Sequence, residues 1–186
     1  MDKNNQSQIV EDIRNQFIEK ISDNMNAFGT STSVGRVLGI IYMNKEPMTL
    51  DEIAQETGMS KTRMSQLVRE MIDMNIAERV FKKGVRKDLY TVEEDYYDTF
   101  ISLFTSTWQQ SITRSRHFEK KQTDRLDELK KQNLTDENAA ARDELQEELD
   151  EWKEYFDWIR RVIEFFESGE IFEHVPKKTI GGDHHE

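Results

Sequence analysis

Apolar residues recur at three- and four-residue intervals through most of this chain, and only two prolines and eight glycines interrupt the pattern. That period restricts the chain to amphipathic helices, because a strand turns every second residue inward. Toward the C-terminus, Leu145, Leu149, Trp152, Phe156, Ile159, Ile163 and Phe166 alternate in steps of four and three. A seam of three heptads needs a partner, either an antiparallel helix or another subunit. Thr135 caps this helix and Gly169 follows its end at Ser168, so it is about 50 Å long. A preceding long helix is expected to open at the capping box Thr91-Val-Glu-Glu94 and to reach about Gln132. Its first half is apolar through Tyr97, Phe100, Ile101, Phe104 and Trp108, and its middle is polar around Phe118.

At the other end, residues 1–8 are polar and expected to fray. From Ile9 a stripe of Ile13, Phe17, Ile21, Met25 and Phe28 marks one amphipathic helix that stops at Gly29. Val34, Val37, Leu38 and Ile41 give the buried side of the next helix, which Asn44-Lys-Glu-Pro47 ends.

Between 49 and 92 the elements shorten. Thr49-Leu-Asp-Glu52 is a capping box, Gly58 is a break, and Ser60 is an N-cap for a helix that buries Met64, Leu67, Val68, Met71 and Ile72. Two strand-like runs, 77–81 and 88–92, flank the tip Lys82-Lys-Gly-Val-Arg-Lys87. The order is helix, turn, helix, hairpin. On the second of these helices Lys61, Thr62, Ser65, Gln66 and Arg69 share the face opposite the apolar one, with Ser60 and Arg63 beside them. A helix that enters a major groove needs short polar residues at close approach and Gln or Arg to reach base edges. It also needs hydroxyls and cations at its N-terminus, where phosphates meet backbone N–H groups. The tip adds Lys82, Lys83, Arg86 and Lys87, suited to phosphates or a minor groove. These eleven residues are the candidate DNA surface.

The formal charge of −11 excludes a chain that coats nucleic acid with basic residues everywhere. Its distribution is uneven. From Lys61 to Lys87 eight basic residues face three acidic ones, whereas from Gln132 to Glu173 four basic residues face fourteen acidic ones. The acidity belongs to the last long helix and its flanks, away from the candidate reading head.

The stretch Glu46-Pro-Met-Thr-Leu-Asp-Glu-Ile53, then Gly58-Met-Ser-Lys-Thr62, then Lys82-Lys-Gly-Val-Arg-Lys-Asp-Leu-Tyr90 resembles the GbsR-type regulators of the MarR-like winged-helix superfamily. Ser33-Val-Gly-Arg36 fits the same pattern, and the resemblance runs over roughly residues 9–170. The wing is shorter than in many MarR-like proteins. The resemblance implies a dimeric repressor that controls choline uptake and its oxidation to glycine betaine, with choline as inducer.

The fold class expected is mainly α with a small β-wing: residues 1–30 a dimerisation helix, 31–92 a winged helix-turn-helix, 93–174 long helices for dimerisation and effector binding, and 175–186 a disordered tail. A quaternary ammonium has no N–H to donate, so aromatic faces must hold it by cation–π attraction. Tyr96, Tyr97, Trp108, Trp152, Tyr155 and Trp158 are the candidates, although aromatic residues at helical spacing more often form a core or seam. Operator DNA, a second copy and a small effector are the expected partners. No metal site is expected, because the chain has no Cys and its four His form no ligand pair on a helix face. No phosphate loop or nucleophile motif is present, so no catalysis and no cofactor are expected. No apolar run approaches the roughly 20 residues of a membrane span, which predicts a cytoplasmic protein. The alternative from a different class is a helical adaptor whose winged domain docks a protein and reads no DNA.

Overall fold

Helix α1 spans Lys3–Asn26 in the computed structural model, which describes residues 3–178. The helix therefore begins before Ile9, with the Gln8 amide donating to Asp12 one turn on at 3.0 Å. The expected fraying of residues 1–2 lies outside the described residues. Helix α2 (Thr32–Asn44) is capped by Ser31, whose hydroxyl accepts from the Val34 N–H, and runs back along α1. Gly35 lies against Ser22 and Gly39 against Ile18, so the two helices cross closely and antiparallel. At thirteen residues α2 covers only the C-terminal half of the twenty-four-residue α1. Ile18, Ser22 and Met25 are buried there, while Ile9, Ile13 and Phe17 of the apolar stripe stay exposed.

Lys45, in the left-handed region, ends α2 and turns the chain into a two-residue strand, β1 (Met48–Thr49). Helices α3 (Leu50–Thr57) and α4 (Lys61–Asp73) follow, joined through Gly58 at φ 71°. Strands β2 (Ala77–Val80) and β3 (Leu89–Val92) then form the wing. The sheet is antiparallel in the order β1-β3-β2, with Thr49 opposite Leu89 and Glu78 opposite Thr91. A hairpin alone was expected. Strand β1 escapes a sequence reading because two residues carry no period, and only pairing with the free edge of β3 makes them a strand.

Thr91 belongs to that ladder, so the expected capping box at 91–94 does not form. Asp95 takes the role instead: its carboxylate accepts the Tyr97 N–H at 2.7 Å, and α5 runs Tyr96–Lys130. Helix α6 (Asp136–Glu167) is capped by Thr135 as expected, and a single turn, α7 (Ile171–His174), follows. The disorder expected for the tail falls largely on residues 179–186, which lie outside the described residues.

The chain divides into two units, residues up to Leu103 and residues from Phe104 onward. In the first, Val34, Val37, Ile53, Met64, Leu67, Val68, Met71, Ile76 and Leu103 are the innermost side chains. In the second, α5 and α6 form an antiparallel hairpin around Ile112, Ile159 and Ile163. Its ring and hydrogen-bond pairs run in opposite directions along the helices: Phe104 with Phe166, Ser115 with Trp152, and Lys130 with Gln146. The heptad seam thus has its partner within the chain, with Leu149 buried, although Leu145 at one end is 59% exposed.

Candidate nucleic-acid interface

Ser60 starts α4 by accepting the Arg63 N–H, and the helix separates its faces as its sequence dictates. Met64, Leu67, Val68 and Met71 are buried, and the Thr57 hydroxyl, which donates to the Ile53 carbonyl at 2.8 Å, lies 3.5 Å from the Met64 sulfur. Lys61, Thr62, Arg63, Gln66 and Arg69 are exposed together, with Ser65 half-buried between them. Arg63 donates to the Gln66 side chain at 3.5 Å, a pair one turn apart on the same face. The structure therefore brings the predicted helix residues onto one polar surface. Their amides and guanidinium groups have the donors that base edges and phosphates accept.

The wing tip turns at Gly84, φ 90°, where the Val85 N–H donates to the Lys82 carbonyl. Positive φ is open to glycine without strain, so the tip holds its cations on a tight reversal. Lys82, Lys83, Arg86 and Lys87 are all exposed. They are not equivalent. Lys82 lies 3.8 Å from Glu46, and Lys87 pairs with Asp51 at 2.8 Å, while Lys83 and Arg86 form no ion pair among the described residues. Asp51 also takes Lys61 at 2.8 Å. The hydrogen bonds from those two ammonium groups hold the Asp51 carboxyl down at about 2, and the same bond pushes Lys87 up. Arg79 pairs with Asp88 across the strands at 3.4 Å.

Asp51 is a residue that the sequence reading missed. It follows the first residue of α3, inside the capping box in which Glu52 accepts the Thr49 N–H at 2.7 Å. Nothing local couples it to Lys87, thirty-six positions away.

The six aromatic candidates separate. Tyr96 and Tyr97 belong to the first unit and the other four to the second. Trp152 donates its indole N–H to the buried Ser115 at 2.6 Å and has Phe118 and Phe156 beside it. Trp108 packs on Phe104 in the hairpin core. Tyr155 and Trp158 are exposed with rings 6.4 Å apart. Tyr96 alone of the six lines an apolar cavity of the first unit, a space of about 330 Å³. Phe28, Tyr42 and Phe100 supply its other rings, and Glu93 borders it with a carboxylate that accepts the Asp95 N–H at 2.8 Å. The Tyr42 and Tyr96 rings are 4.9 Å apart, and the chain's own Lys45 ammonium lies 3.7 Å from the Tyr42 ring centroid. Burial, then the hydrogen bond with Tyr42, pushes the Tyr96 hydroxyl up to about 12, so it stays neutral. Phe28, Tyr42 and Glu93 come from three separate segments, so no periodicity reveals the group.

Helix, turn, recognition helix and basic wing define a winged helix-turn-helix transcription regulator. Residues 96–173 match the family described as "GbsR family transcriptional regulator, C-terminal helical hairpin", and residues 28–87 match "MarR family". The chain is 56% identical to the HTH-type transcriptional repressor OpcR of Bacillus subtilis (strain 168) over 91% of this chain and 92% of that one. It is 33% identical to the HTH-type transcriptional repressor GbsR of the same organism, over 96% and 99% of the two chains. The chain belongs to the GbsR family of transcriptional regulators, which are DNA-binding proteins and not enzymes. A solved structure described as "Crystal Structure of a transcriptional regulator" shares the fold, with a TM-score of 0.59 at 15% identity over 88% of this chain and 99% of the other. Among the described residues no helix is long and apolar enough to cross a membrane, and no group of His, Cys, Asp and Glu is placed to hold a metal ion.

Proposed function

We propose that this chain is a sequence-specific repressor that binds a near-palindromic operator as a homodimer in the cytoplasm and is released by choline or a related quaternary ammonium compound. Its targets are genes of choline uptake and glycine betaine synthesis. The observation that carries the reading is the single polar surface formed by α4 and the wing. Gln66 and Arg69 read base edges, Ser60, Lys61, Thr62, Arg63 and Ser65 meet phosphates and groove walls, and Lys82, Lys83, Arg86 and Lys87 bind backbone. An adaptor that docks protein has no need of that basic surface.

Two further observations support the dimer and the inducer. Ile9, Val10, Ile13 and Phe17 expose an apolar face on α1, which suits a second copy of the chain together with α5 and α6. The cavity with Phe28, Tyr42, Tyr96, Phe100 and Glu93 has the chemistry that a quaternary ammonium needs, aromatic faces beside a carboxylate. Its walls come from α1, α2 and the start of α5, so a cation that fills it bears on α1, which docks the partner, and on α2, against which the reading helix α4 packs. Release then follows from differential affinity for the two dimer states.

Fluorescence anisotropy on a duplex from the region upstream of the chain's own gene, with and without choline, tests the reading. Saturable binding that random DNA does not match, and release by choline, are expected. Binding without release removes the inducer and leaves the repressor; equal binding to random DNA removes the operator.

A further inference from the structure

We propose that Asp51 sets the affinity of the DNA surface by standing in for a DNA phosphate between Lys61 and Lys87. The proposal rests on the reading of α4 and the wing as that surface. One carboxylate oxygen takes the Lys61 ammonium at 2.8 Å and the other takes the Lys87 ammonium at 2.8 Å. Lys61 is the first residue of the recognition helix, and Lys87 is on the descending arm of the wing. A single anion shared by two ammonium groups through two oxygens is what the non-bridging oxygens of a phosphodiester also provide. The three side chains border a recess with Thr49, Arg86 and Asp88, open to solvent.

The pairing is not needed to hold the wing. Thr49 is paired with Leu89 in the sheet, two residues from Asp51 and two from Lys87, so the ladder already fixes the root of the wing. Nor does the turn need it, because Thr49 and Glu52 close the capping box by themselves. What remains is a negative charge held between two cations of the candidate DNA surface, where Glu46 and Asp88 are paired instead with Lys82 and Arg79. Like any aspartate, Asp51 is ionised near neutrality, and the hydrogen bonds from Lys61 and Lys87 favour the charged form further. A phosphate that reaches Lys61 and Lys87 meets the Asp51 carboxylate between them, and repulsion between the two anions favours displacing Asp51. The protein then binds every duplex more weakly than its count of cations implies.

The test is D51N, with helicity and thermal melting as checks of folding, and anisotropy on the upstream duplex and a random duplex over a range of salt. Tighter binding of both duplexes by roughly threefold to tenfold is expected, of the size that exposed ion pairs allow. The slope of log K against log salt should steepen by about 0.9, one more neutralised phosphate. In a K61A/K87A background the gain from D51N should vanish. A folded D51N that binds equally or more weakly, with K61A/K87A weakened, overturns the role of Asp51 and leaves the DNA surface standing. If K61A/K87A binds as tightly as the parent, the DNA-surface reading fails at these positions and the proposal fails with it.

Discussion

Gly35 of α2 lies so close to Ser22 of α1 that a β-carbon there would stand 2.7 Å from the Ser22 Cα and 2.8 Å from its carbonyl oxygen. Backbone meets backbone at this crossing, with no flexible side chain between to give way. The Ser22 hydroxyl, buried, donates to the Thr32 carbonyl at 2.9 Å and ties α1 to the first turn of α2. The glycine in the Ser33-Val-Gly-Arg36 motif is thus a packing residue, and it makes α1 part of the winged domain rather than a separate arm.

Gly35→Ala should therefore destabilise the protein although alanine favours a helix by about 1 kcal/mol. Forcing the helices apart costs roughly 1–3 kcal/mol, the range for overpacked cores. Gly39→Ala, whose nearest contacts would be 3.1 Å, should lose less. Denaturant unfolding of both variants decides it. A Gly35→Ala protein as stable as the parent would show that the close crossing is not required.

Thr49→Ala should cost about 1 kcal/mol by removing the cap of α3. The acid limb of the stability curve reports the other half of the box. The Thr49 backbone N–H, then its hydroxyl, hold the Glu52 carboxyl below the ordinary value of 4.5. A carboxyl lowered in the folded state contributes stability above its unfolded value, and that contribution fades as pH falls through the folded value. Glu52→Gln should therefore flatten the loss of stability below about pH 4.5. An unchanged acid limb would be evidence against the bond.

Gln66→Ala and Arg69→Ala should relax operator preference by about 1–3 kcal/mol at the base each reads. Lys83→Ala and Arg86→Ala should instead weaken operator and random DNA alike and reduce the salt slope by about 0.9 each. Equal losses on both duplexes for all four changes would assign the whole surface to phosphate.

Tyr42→Ala and Phe100→Ala should weaken choline binding by roughly threefold to thirtyfold, as expected for loss of a cation–π face. Glu93→Gln should weaken it too, while Tyr155→Ala and Trp158→Ala should leave it unchanged. Calorimetric titration of each variant with choline is the measurement. Loss of binding in Trp158→Ala with Tyr42→Ala unaffected would move the site to the long hairpin.

Sequence alone determined the helices, the caps at Thr49, Ser60 and Thr135, the turn at Gly58, the wing with its cations, and the polar face of α4. These are local matters: a cap joins residues three apart, and one face of a helix repeats every three or four. The separation of basic from acidic regions is likewise a count along the chain. Tertiary structure decided the rest. Strand β1 exists only because β3 offers it an edge, and that same ladder takes Thr91 away from its expected cap. The apolar cavity beside Tyr96 joins Phe28, Tyr42 and Glu93 from three segments, and Asp51 meets a lysine thirty-six residues away. No periodicity encodes such meetings. They depend on how closely two backbones pass, and at Gly35 that distance is set by the absence of one carbon atom.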